Sequence, residues 1–380
     1  PSIPQPRFPD FLNFPDREEN AYHHPYHALA LFRISLTLTS KMPANPNQLE
    51  PCDEDLKHAP FGDSSGSFSS SISSADKLDG TESLISNLRV FSFENKRRYH
   101  KYEEGRYMLP NDDIEQDRED MKHAMIVHLC DGALHNAPLR NPQRILDIGT
   151  GTGIWAMEMG DDYPEAEIIG LDLSPIQPEY VPPNVHFTVD DVEADWLHAP
   201  NSVDYVHVRN MAPALKDWPR LLSQAYRALK PGGWFEMQDL VFDFLCDDGT
   251  VTETYKPREA MRYLTEALAT FDVDVNIARD FAGYLESVGF TNQIHDMRKV
   301  PVGTWPKDPD LSAIGDYCRA VNYDSLGAIT NVPFTRGLGW SRLRVEVFLI
   351  EVRKDLLNNS FHPYHYYHSY SGQKPLQQTE

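Results

Sequence analysis

Residues 147–153 read Asp147-Ile148-Gly149-Thr150-Gly151-Thr152-Gly153, and a second carboxylate, Asp172, follows in Gly170-Leu171-Asp172-Leu173-Ser174. Small residues in a turn let a ligand approach the backbone with no Cβ in the way. An acid at the tip of the next strand can accept hydrogen bonds from both hydroxyls of a ribose. A carboxylate two residues before the first glycine suits a ligand with a cationic end. It would repel the pyrophosphate of a dinucleotide. The dinucleotide spacing G-x-G-x-x-G also fails, because Ile154 stands where the third glycine belongs. The chemistry that fits is binding of S-adenosylmethionine, with its ammonium and sulfonium. A nicotinamide-dependent oxidoreductase is the alternative the two acids argue against, and a bare strand-to-helix turn is the bland one.

The elements needed to hold these groups are present in the right order. A buried strand at 145–148 runs into the glycine turn and a helix at 154–162, then a strand at 167–172. Strands at 185–189 and 203–208, a helix at 217–229 and a strand at 234–239 continue the alternation. Strands alternating with helices predict a mostly parallel sheet covered on both faces. In such a sheet the ligand lies at the carboxyl ends of the strands, where the strand order reverses. Asp191 and Val192 follow one strand, Arg209 and Asn210 the next, and Asp239 the one after. Arg209 could pair with a ligand carboxylate or with Asp147, or form a structural ion pair under the loop. Asp239 and His207 are weak candidates for a general base.

Several segments beyond the turn resemble the LaeA-like fungal branch of the class I S-adenosylmethionine-dependent methyltransferases, a group that includes regulators of secondary metabolism. They are Arg97-Arg98-Tyr99-His100, Gly105-Arg106-Tyr107 with Pro110-Asn111-Asp112, residues 151–155, and 173–177. Others are Val208-Arg209-Asn210, Lys216-Asp217-Trp218-Pro219 and the run from Arg227 to Trp234. The resemblance covers about 92–375. It implies an α/β, Rossmann-like, doubly wound, mostly parallel seven-stranded sheet with an antiparallel edge strand, an N-terminal helical arm and a helical insertion before the last strand. It also implies cofactor contacts from Asp147, Gly149, Thr150, Gly151 and Gly153 to the methionine part, Asp172 and Leu173 to the ribose, and Asp191 and Val192 to the adenine. Arg209 joins this set, and Tyr99, with Tyr107 beside it, would cover the sulfonium. Packing of the arm on the sheet edge is the competing role for both tyrosines. The acceptor implied is a small molecule or a protein, with membership of a regulatory protein complex as the rival role.

Composition bounds the rest. A net charge of −22 repels phosphate backbones, so direct nucleic-acid binding is not expected. Four scattered cysteines without a C-x-x-C pair argue for a reducing compartment, read as cytoplasm or nucleus or both, and against a thiolate metal site. No membrane span is expected: the apolar run 28–38 is too short and is broken by Arg33. Residues 1–90 carry prolines and a serine tract at 64–74, a composition of disordered tails. Met42 is a candidate native start. Residues 91–380 then divide into an arm and helix at 91–140, a cofactor-binding core at 141–300, a helical insertion or lid at 301–358 and a last strand at 359–375.

Finer patterns carry further expectations. Asp112 and Glu115 have capping-box spacing before a helix whose apolar face is Ile114, Met121, Met125 and Leu129. Helices near 257–271 and 276–288 follow, the second facing the core through Ile277, Phe281, Leu285 and Val288. Trp340, Leu343, Val347 and Ile350 repeat at three, four and three and predict the packing face of a helix at 340–357. His362, His365 and His368 alternate on a strand, so three ligands could not converge on a metal. They read as surface histidines.

Overall fold

In a computed structural model the chain is described over residues 91–94, 97–100 and 109–376. The expectations for residues 1–90, for Met42 and for the Arg106-Tyr107 arm lie outside these. Strands β1 (Phe91–Glu94) and β2 (Arg97–His100) form an antiparallel pair that leads to helix α1 (Asp113–Leu129). The core follows as β3 (Arg144–Ile148), α2 (Ile154–Asp162), β4 (Glu167–Asp172), β5 (Val185–Val189), β6 (Val203–Arg209), α3 (Trp218–Ala228) and β7 (Leu229–Leu240). Then come α4 (Lys256–Ala269), α5 (Phe281–Val288), β8 (Thr291–Pro301), α6 (Pro309–Val332), α7 (Arg342–Leu356) and β9 (Tyr364–Gln373).

The main sheet has seven strands in the order β5-β4-β3-β6-β7-β9-β8. Pairs from β5 through β7 are parallel, whereas β9 runs antiparallel to both β7 and β8. The order reverses between β3 and β6, which opens a crevice at their carboxyl ends. Alternation along the strands feeds two cores. Leu146, Val206 and Phe235 pack with α3 and α5 on one face, while Ile145, Tyr205 and Trp234 pack with Trp155 of α2 on the other. The stripe Ile277, Phe281 and Leu285 is buried as the spacing suggests. A third cluster joins α1, α4, α6 and α7 beside β8 and β9.

Three expectations about faces need correction. Asp112 does cap α1, accepting from the Glu115 N–H, but Ile114 is 65% exposed. The buried face of α1 begins with Glu115, Arg118, Asp120 and His123 and turns apolar only at Met125. Helix α7 carries two apolar stripes, and the one at Val345, Leu349, Val352 and Leu356 packs inward. Leu343, Val347 and Ile350 are all more than half exposed. Period alone cannot choose between two stripes of equal spacing. Finally, β9 lies second from the sheet edge, so His365 and His368 are buried rather than on the surface.

Candidate active site

The turn after β3 is held by backbone bonds from Gly149 and Thr150 to the Leu171 carbonyl at 2.8 and 3.0 Å. Gly153 starts α2 at φ 82°, and a Cβ there would lie 2.3 Å from the Phe187 ring. Gly153→Ala therefore combines a strained dihedral with a clash and should destabilise the protein by roughly 2 kcal/mol or more, measurable by urea denaturation. At Gly151, φ 57°, a Cβ would meet nothing within 4 Å, so the backbone there faces open cleft.

Asp172 stands at the tip of β4. Its Oδ2 accepts the Gly151 N–H and its Oδ1 the Ser174 N–H, both at 2.8 Å. Burial, reinforced by the nearby Asp147 charge, lifts its pKa to about 6. Asp147 is placed differently from the expectation. It is 3% exposed, accepts from Thr150 Oγ1 at 2.6 Å and is bonded to His207 Nδ1 at 2.8 Å. The His207 ring stacks on Trp155 at 3.7 Å. Both oxygens of Asp147 are thus occupied beneath the turn, and the carboxylate does not line the cleft. These bonds shape the loop.

One cleft runs over the ends of β3, β4, β6 and β7. Gly149, Gly151, Asp172, Leu173, Asp191, Val192 and Arg209 line it. Thr150 Oγ1 is turned to Asp147, a Gly153 Cβ would face Phe187, and Tyr99 is buried on β2. Arg209 reaches across to His123 Nδ1 at 2.7 Å rather than to Asp147. The acidic wall holds itself open: Asp191 Oδ1 accepts the Glu193 N–H, and Glu193 accepts from the backbone of Lys216 and Asp217. Asn210, at φ 57°, is the one left-handed non-glycine residue among the described cleft residues.

Sequence reasoning missed a whole wall. The polar face of α1 brings Glu115, Arg118, Glu119 and Lys122 onto the cleft. Burial alone would raise the Glu119 carboxyl, but Arg118 and Lys122 outweigh it and hold the group at about 2. Burial lowers Lys122 from its ordinary value. Asp120 accepts from Thr152 Oγ1 at 2.6 Å, tying α1 to the turn. The far end is formed by Asp239–Phe242, Met261, four side chains of α6 and His365. The only signal for α1 in the sequence was a helix with charges at core spacing, which a solvated face would also give. Among the described residues no cluster of His, Cys, Asp and Glu could hold a metal ion, and no helix is long and apolar enough to cross a membrane.

A doubly wound sheet with a glycine turn, a carboxylate at the β4 tip and an acidic wall beyond β5 fits the class I S-adenosylmethionine-dependent methyltransferases. The family signature of a methyltransferase domain matches residues 121–294. The chain is 40% identical over 291 residues to methyltransferase pytC of Aspergillus terreus, covering 76% of this chain and 90% of that one. It is 35% identical over 291 residues to the secondary metabolism regulator LAE1 of Cochliobolus heterostrophus, 75% of this chain and 95% of that protein. To the regulator laeA of Aspergillus fumigatus it is 34% identical over 287 residues, 74% and 76% of the two chains. The chain belongs to the LaeA-like fungal methyltransferases, and it is an enzyme that uses S-adenosylmethionine and acts on a methyl acceptor.

Proposed function

We propose that the chain methylates a small-molecule acceptor of fungal secondary metabolism, seated at the α6 end of the cleft. The observation that carries this reading is the continuity of the cleft from Asp172 to Asp239, Met261 and α6. S-Adenosylmethionine supplies a methyl group already activated by a sulfonium, so positioning dominates what the protein must do. Asp172 would accept the ribose hydroxyls, Asp191 with the Val192 backbone would take the adenine, and Arg209 would hold the carboxylate end. Gly151 fits this set, since its missing side chain leaves the space a ligand backbone needs. Calorimetry tests the reading. S-Adenosylhomocysteine should bind and NAD should not, and the reverse result would overturn it.

A second reading is favoured by one feature, the exposed apolar stripe Leu343, Val347 and Ile350. A face of this kind suits a regulatory protein partner, with transfer to that protein or little transfer at all. Labelled methyl from S-adenosylmethionine appearing in a metabolite pool but in no co-purifying protein would favour the first reading. Residence in cytoplasm or nucleus goes with either, and a net charge of −22 argues against contact with nucleic acid.

A further inference from the structure

The far end of the cleft carries an imbalance of hydrogen-bonding atoms. His365 Nδ1 lies 2.7 Å from the Asp243 carbonyl oxygen, and its Nε2 lies 3.3 Å from Asn322 Oδ1. Asn322 Nδ2 donates to the Cys318 carbonyl at 2.8 Å. A carbonyl oxygen can only accept, so Nδ1 carries the ring proton and Nε2 presents a lone pair. The same rule turns the Asn322 amide so that its oxygen faces Nε2. Two acceptors therefore confront each other with no proton between them.

Neither simple reassignment removes the conflict. Rotating the amide sets its oxygen against the Cys318 carbonyl, and exchanging the ring tautomer sets a lone pair against Asp243. The Val241 carbonyl adds a further acceptor beside the ring. Protonating the ring would satisfy every contact, but burial opposes it and pushes the pKa down to about 4. Phe244 packs on the ring at 4.5 Å between centroids. A neutral imidazole and the amide oxygen facing it thus lack one donor, and both residues line the cleft.

We propose that His365 Nε2 and Asn322 Oδ1 form the seat for the X–H group of the methyl acceptor, a neutral hydroxyl, phenol or amine on an apolar body. The apolar body has a matching wall in Leu240, Val241, Met261, Val321 and Ile329. Anionic acceptors are disfavoured, since they bring a further lone pair and no proton. This rests on the methyl-transfer reading above and names the acceptor chemistry of that site.

Phenol and toluene, equal in shape and differing in one donor, probe the seat. In protein saturated with S-adenosylhomocysteine, phenol should bind roughly tenfold more tightly than toluene, the worth of one well-placed hydrogen bond. His365→Phe should lower the ratio at least about tenfold, to below one, because the phenol hydroxyl is then buried without its partner, with the S-adenosylhomocysteine affinity unchanged, and Asn322→Ala should lower it in part. A wild-type ratio near one, or a ratio kept in both variants, would overturn the proposal and leave water as the missing donor. Asn322→Ala reads the seat should His365→Phe fail to fold. If S-adenosylhomocysteine itself does not bind, the methyl-transfer reading fails, while the phenol-to-toluene ratio in the unliganded protein still judges the seat.

Discussion

Asp172→Ala is expected to weaken S-adenosylhomocysteine binding by about 3 kcal/mol, roughly 100-fold, because two hydrogen bonds to a charged acceptor are lost together. The variant also strands the Gly151 and Ser174 N–H groups that the carboxylate now receives at 2.8 Å. Asp172→Asn separates binding from folding. The carboxyl is raised from 3.8 to about 6, first by burial and then by the Asp147 charge. A raised carboxyl means the fold prefers the protonated form, so the ionised group opposes folding above about pH 6 and that opposition fades as pH falls toward 3.8. The neutral asparagine removes that opposition near pH 7.5 but turns an NH2 toward the Gly151 or Ser174 N–H, so its net stability change should be small, within about 2 kcal/mol, while the ligand binds more weakly. The wild-type affinity should decline as pH drops through 6, by roughly fourfold between about pH 7.5 and 5.5 if only the carboxylate binds. Calorimetry at both values checks this, and an Asp172→Asn variant with undiminished affinity would remove the ribose role.

Glu236→Ala should cost about 4 kcal/mol of stability, the largest single loss expected in the core. The side chain is fully buried on β7 and gathers groups from distant parts of the chain. Its oxygens accept the N–H groups of Asn136 and Ala137, the Tyr205 hydroxyl at 3.0 Å, Gln238 Nε2 at 2.8 Å and Ser369 Oγ at 2.9 Å. Each donor left unpaired in an apolar interior costs about 1–3 kcal/mol, and some will find one another. Glu236→Gln keeps the shape but turns an NH2 toward donors, so a smaller loss of about 2 kcal/mol is expected. Urea denaturation measures both. A loss under about 1 kcal/mol for Glu236→Ala would show that the network relaxes or fills with water. The same Gln238 Nε2 also donates to the Leu134 carbonyl at 3.2 Å, so the loop between α1 and β3 should loosen first on hydrogen exchange.

The legible part of this protein was local. Strand 167–172 and helix 154–162 fall where alternation and the glycine turn put them, because each signal lies within a dozen residues. The carboxylate at Asp172 was legible for the same reason. Asp147 was legible as a residue and not as a contact. Its partner His207 comes from 60 residues further on, brought alongside by the parallel register of β3 and β6. Arg209 meets His123 of α1 across 86 residues, a contact set by where the helix packs.

The amino-acid order alone determined the alternating strands and helices, the glycine turn that leaves backbone open to a ligand, and the acid beside it. Those features follow from backbone sterics and from hydrophobic period, which act between near neighbours. Only the tertiary structure decided which apolar stripe of α7 packs inward, why α1 buries charge, and that His365 faces a cleft instead of solvent. Each of those depends on what covers a side chain. Burial and hydrogen-bond satisfaction are properties of pairs brought together from far along the chain, and a one-dimensional pattern does not carry them.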